Sequence, residues 1–153
     1  MAGKVLIIFS AILMSLSVSA QKPELINGLY YKNGMLYTGT YKEYHPNGTL
    51  LIEQNISNGL EHGNTELYYL SGCKQEHREF TDGKKTGTWI KWNEKGVVIS
   101  EASYADNVKD GKWIIRNDNG IVLYEMYYSN GQKTGIWKQW DDEGKLTMEK
   151  KYL

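Results

Sequence analysis

The chain has 153 residues, with eighteen basic and eighteen acidic side chains, so its formal net charge is zero. That balance argues against nucleic acid or an acidic membrane surface as the main partner, since both demand clustered positive charge. Cys73 is the only cysteine, which excludes an internal disulfide and leaves stability to packing.

The first element in chain order is a targeting segment. Lys4 supplies a short basic start, Val5 to Val18 form an apolar run broken only by serines, and Val18-Ser19-Ala20 offers small residues to signal peptidase. The run is shorter than the roughly 20 residues that span a bilayer. Residues 1–20 therefore read as a cleavable secretory signal peptide, with export to the periplasm or beyond the cell. The mature chain from Gln21 carries seventeen basic against eighteen acidic side chains. Nothing later is long or apolar enough to span a membrane, so no stable insertion is expected after cleavage.

Next comes a half unit over residues 27–38, in which Tyr31-Lys32-Asn33-Gly34 matches Ile56-Ser57-Asn58-Gly59 with one residue inserted before Gly39. From there the chain repeats with a period of 24. Gly39, Gly63, Gly87, Gly111 and Gly135 form one column, and Gly48, Gly72, Gly96, Gly120 and Gly144 form another. A third reads Ile56, Phe80, Tyr104, Tyr128 and Tyr152, and a fourth reads Tyr41, Thr65, Trp89, Trp113 and Trp137. A fifth holds Tyr44, Tyr68, Trp92, Arg116 and Trp140, and a sixth Glu53, His77, Glu101, Glu125 and Glu149. The units run 39–62, 63–86, 87–110 and 111–134, with a partial unit over 135–153.

Within each unit the chemistry reads strand, turn, strand, turn. Asn47-Gly48, Asn58-Gly59, Asp82-Gly83, Asn119-Gly120 and Asn130-Gly131 tolerate the positive φ of tight hairpin turns. Runs such as Thr88-Trp89-Ile90-Lys91-Trp92 favour strands. The glycine columns are accordingly assigned to turns. The expected fold is all-β, an elongated single-layer antiparallel meander of tandem β-hairpins advancing roughly 9–10 Å per unit. Trp89 and Trp92 are three apart and point to opposite faces of a regular strand, so aromatic rows are expected on both faces.

No residue set calls for catalysis or a cofactor. His45, His62 and His77 fall at different phases of the repeat, so no metal site is expected and they read as surface residues. Cys73 reads as a half-buried bystander, lacking the pocket and oxyanion donors that nucleophilic chemistry requires. The glutamate column, with Lys84, Lys85, Lys109, Lys133 and Lys145 nearby, reads first as cross-strand charge pairing. One layer cannot bury both faces, which leaves Trp89, Trp92, Trp113, Trp137, Trp140, Tyr41 and Tyr44 as the candidate binding surface.

The unit G-x-[YW]-x-x-[YW]-x-x-x-G-x-x-x-x-E-x-x-[FY]-x-[ND]-G-x-x-x-G resembles the bacterial variant of the MORN repeat. Its best copies begin at Gly87-Thr88-Trp89 and Gly135-Ile136-Trp137, and the resemblance extends from about Asn27 to Tyr152. It implies an elongated β-sheet used for protein or lipid contact, and brings no catalytic residues. The same pattern characterises antitoxins of the YwqK family, but an antitoxin against a cytoplasmic toxin has no reason to be exported. Residues 28–34, Gly-Leu-Tyr-Tyr-Lys-Asn-Gly, are also similar to choline- and wall-binding hairpins, which keeps a cell-envelope glycan as the alternative ligand. The leading expectation is a non-enzymatic exported scaffold for another protein, with self-association through open strand edges as a further possibility.

Overall fold

The two turn types of the repeat set its geometry. Asn58-Gly59, Asp82-Gly83, Asp106-Asn107 and Asn130-Gly131 hold both central residues at positive φ, which makes them two-residue turns that match strand twist. In the turns at Gly48, Gly72, Gly96, Gly120 and Gly144 the glycine alone has positive φ, for example Gly48 at +85°, Gly96 at +77° and Gly144 at +81°. These are three-residue turns, in which Gly48 N–H donates to His45 C=O at 2.9 Å and His45 N–H to Thr49 C=O at 2.8 Å. Asn47-Gly48 and Asn58-Gly59 thus look alike in sequence but serve different turns.

The computed structural model describes residues 22–153, so the signal peptide assigned to residues 1–20 lies outside the described residues. Among the described residues there are thirteen strands and no helix. A three-stranded sheet holds β1 (Glu24–Ile26), β2 (Leu29–Lys32) and β3 (Met35–Leu36). A ten-stranded sheet continues with β4 (Gly39–Tyr44), β5 (Leu50–Ser57), β6 (Leu60–Tyr68), β7 (Lys74–Thr81) and β8 (Lys84–Trp92). It ends with β9 (Val98–Ala105), β10 (Val108–Arg116), β11 (Val122–Ser129), β12 (Gln132–Trp140) and β13 (Leu146–Tyr152). Each strand pairs antiparallel with its chain neighbours, so the large sheet is an unclosed meander of consecutive hairpins, as expected.

The column Gly39, Gly63, Gly87, Gly111 and Gly135 needs correction. These glycines do not sit in turns. Gly63, Gly87, Gly111 and Gly135 lie inside β6, β8, β10 and β12 at positive φ, and Gly39 opens β4 at +147°. At each of the four the ladder slips: Gln54 pairs Thr65 and Ile56 pairs Glu61, so Asn55 alone faces His62, Gly63 and Asn64. The same slip recurs between β7 and β8, β9 and β10, and β11 and β12. The column is a periodic β-bulge, which needs a left-handed residue and raises local twist.

The half unit also departs from the repeat for a physical reason. A one-residue insertion flips every following side chain to the other face. The chain avoids this by breaking the strand at Tyr37-Thr38, leaving β3 in the small sheet and β4 in the large one. The small sheet docks on the Asn58-Gly59 turn: Tyr30 N–H donates to Gly59 C=O and Gly59 N–H to Tyr37 C=O, both at 2.8 Å.

Candidate functional site

Burial is sparse and one-sided. Among the described residues the buried apolar side chains are Ile56, Phe80 and Ala102, all on one face. The register explains how that face is filled. Tyr104 sits across from Gly87 on one neighbouring strand and from Lys109 on the other, while Ala102 pairs both Trp89 and Trp113. The glycine leaves room for the tyrosine ring beside the next tryptophan. The third and fourth columns therefore merge into a single aromatic ladder: Phe80, Trp89, Tyr104, Trp113, Tyr128, Trp137 and Tyr152. Successive centroids are 4.9 to 5.5 Å apart with planes 54° to 65° to one another. Tilted pairs contribute about 0.5–1.5 kcal/mol each beyond area burial, so six contacts rival the small core.

Each indole is anchored to the bulge. Trp89 Nε1 donates to Glu79 C=O at 3.1 Å, Trp113 Nε1 to Ser103 C=O at 3.0 Å, and Trp137 Nε1 to Tyr127 C=O at 2.9 Å. A lysine then lies over three of the Trp–Tyr pairs, one per repeat. Lys85 Nζ is 4.7 Å from the Trp89 centroid, Lys109 Nζ 4.2 Å from that of Trp113, and Lys133 Nζ 4.5 Å from that of Trp137. Their distances to Tyr104, Tyr128 and Tyr152 are 5.3, 4.9 and 5.3 Å. Burial alone pushes the Tyr104 hydroxyl pKa up from its ordinary value. Toward the N-terminus the ladder stops, because Thr65 stands where the later units carry tryptophan and Glu61 where they carry lysine. Burial pushes the Glu61 carboxyl above the ordinary carboxylate range, with Arg78 opposing it.

The opposite face is charge-paired. Across it runs the register Lys42, Glu53, Glu66, His77, Ile90, Glu101, Ile114, Glu125, Lys138 and Glu149. Lys42–Glu53 is 3.0 Å, Arg116–Glu101 2.6 Å, Lys112–Glu125 2.8 Å and Lys138–Glu149 3.8 Å. The bonded Lys112 ammonium holds the Glu125 carboxyl below its usual range, against desolvation. Charge pairing is thus observed, but with other cations than Lys85, Lys109 and Lys133, which lie on the ladder.

The sequence-assigned aromatic surface is accordingly split. Trp89, Trp113 and Trp137 share the ladder face, half-buried, with Tyr41 at its N-terminal end beneath Lys22 at 5.6 Å. Trp92, Trp140 and the exposed Tyr44 lie on the other face, near the three-residue turns. Cys73 is exposed on a turn rather than half-buried. Of the histidines, only His62 is exposed. His45 bonds Tyr68 C=O at 3.0 Å and His77 bonds Glu66 at 2.7 Å, both half-buried.

Two features escaped the sequence reading. The lysine column at 85, 109 and 133 was visible in sequence, but its place over the rings depends on the bulge. The column Gln54, Arg78, Ala102, Met126 and Lys150 was also visible, yet its one small member matters only because Ala102 lies between two tryptophans.

Comparison with known proteins follows the same repeats. A family model described as MORN repeat variant matches residues 37–58, 85–106, 109–132 and 133–153, together more than half of the chain. The stretch between 58 and 85 holds Glu61, Thr65 and His77, where other units carry lysine, an aromatic and glutamate. No curated protein matches the chain. The periodic turns, the bulge glycines and the matched repeats lead to one conclusion: the chain belongs to the MORN repeat variant family.

Proposed function

We propose that this chain is an exported, non-enzymatic scaffold that binds another protein on its ladder face. The observation carrying the reading is the half-exposed aromatic ladder under a row of lysines. Half-exposed Trp and Tyr beside a cation are the residue types on which interfaces concentrate binding energy. The opposite face supports the choice by contrast, since its glutamates already hold internal cations.

A choline or glycan cage is the weaker alternative. The ring planes are tilted rather than parallel, and the lysines already stand over the π-faces that a quaternary ammonium would need. The antitoxin reading requires a cytoplasmic location, and export rests on the leader sequence.

Two measurements test the proposal. Fractionation is expected to find the cleaved protein outside the cytoplasm; uncleaved cytoplasmic protein would remove the export argument. Capture from a periplasmic extract is then compared for wild type and single alanine variants at Trp89, Trp113 and Trp137. Loss of a specific partner by correctly folded variants is expected. Retention of every partner by all three would count against the ladder face.

A further inference from the structure

The least regular column on the ladder face runs Gln54, Arg78, Ala102, Met126 and Lys150. Met126, across from Trp113, carries a long side chain, whereas Ala102, between Trp89 and Trp113, carries only a methyl. Its methyl group leaves a notch of about 160 Å³ bounded by Trp89, Trp113, Tyr104, Ser100, Lys91 and Glu76, whose carboxylate is paired with Arg78 and Lys91. An apolar cavity of about 150 Å³ accommodates benzene, so this volume suits one aliphatic or single-ring side chain.

The notch lies within the lysine row. Lys85 covers Trp89, on one wall, and Lys109 covers Trp113, on the other. Among the described residues, none of Lys85, Lys109 and Lys133 has a carboxylate within 4.0 Å. The column glutamates of these units, Glu101, Glu125 and Glu149, are engaged on the other face. Three uncompensated cations therefore recur once per repeat, about 9.6 Å apart for two strands. A polyproline II segment returns to the same side every three residues, about 9.3 Å along its axis. The two spacings match.

We propose that the ladder face binds an extended acidic segment of a partner protein, laid across the strands. Carboxylates at every third residue meet Lys85, Lys109 and Lys133, and one aliphatic side chain fills the notch over Ala102. The lysines keep their ring contacts and offer their remaining N–H groups to the carboxylates. This inference deepens the binding reading above and rests on it.

The test uses the full mature chain and two synthetic proline-rich peptides. One carries glutamate at every third position with a central leucine; the other has the same composition with its glutamates adjacent. Tryptophan fluorescence is expected to show the periodic peptide binding about tenfold tighter, with affinity falling as salt rises. Ala102→Met, which installs the residue that Met126 supplies in the next unit, is expected to weaken binding about tenfold with near-UV dichroism unchanged. Lys109→Gln is expected to weaken it and flatten the salt dependence. Equal affinity for the two peptides, no binding of either, or an unaffected Ala102→Met variant would overturn the inference. Binding to phosphatidylserine vesicles in place of the periodic peptide would overturn it too. If a captured native partner still depends on Trp89, Trp113 and Trp137 while neither peptide binds, the scaffold reading stands and this inference falls.

Discussion

Gly111 sits inside a strand at φ +99°, with Ser103 Cβ 3.0 Å from where its own Cβ would be. Gly111→Ala should therefore combine left-handed strain with a close contact, costing on the order of 1–2 kcal/mol. Chemical denaturation of the two proteins measures this directly. A cost near zero would mean the bulge does not require its glycine. Glu61 carries the clearest pH prediction. Its folded pKa is raised by burial, so the folded state binds more protons than the unfolded state between the two pKa values. Stability conferred by the protonated form is present below the ordinary carboxylate pKa and lost as pH rises through the folded one. Glu61→Gln should thus raise stability at neutral pH and make little difference in acid, below the ordinary carboxylate pKa. Melting curves at the two pH values check the sign.

The three-residue turns couple one hairpin to the next. Asn93 Oδ1 accepts from Lys95 N–H at 3.1 Å and Val97 N–H at 3.0 Å, while its Nδ2 donates to Asp118 C=O in the next unit at 3.0 Å. Asn117 repeats the pattern, except that its Nδ2 donates to the Asp142 carboxylate Oδ1, at 3.3 Å. Asn93→Ala removes three bonds from a half-buried site and should cost about 1–2 kcal/mol in denaturant titration. A cost below about 0.5 kcal/mol would show that these turns are held by the backbone alone. At this scale the sequence was informative in one respect and misleading in another. Asn-Gly pairs and the 24-residue period located the hairpins of the ten-stranded sheet. They did not separate turn glycines from bulge glycines, because both columns demand positive φ and composition reports only that demand. The bulge is defined by the partner strand, and Asn55 opposite Gly63 has no local signature.

Across the whole molecule, stability is shared along the ladder rather than stored in a core, as nearest-neighbour coupling in a repeat array requires. The two-residue turns add to this coupling: Gly83 N–H donates to Glu61 C=O and Gly131 N–H to Lys109 C=O, both at 2.8 Å. Aromatic rows on both faces were legible from the three-residue offset between Trp89 and Trp92. That two columns would fuse into one ladder was not, because Tyr104 meets Trp89 and Trp113 only through pairing with its neighbouring strands. The notch over Ala102 was hidden for the same reason. The central claim, that the ladder face is the binding face, is tested most directly by neutralising each face in turn. Lys85, Lys109 and Lys133 are changed together to glutamine in one variant, and Lys42, Lys112 and Lys138 in another. Affinity for the captured partner is then measured for both folded proteins. The account predicts loss of binding only in the first; equal binding by both, or loss confined to the second, would contradict it.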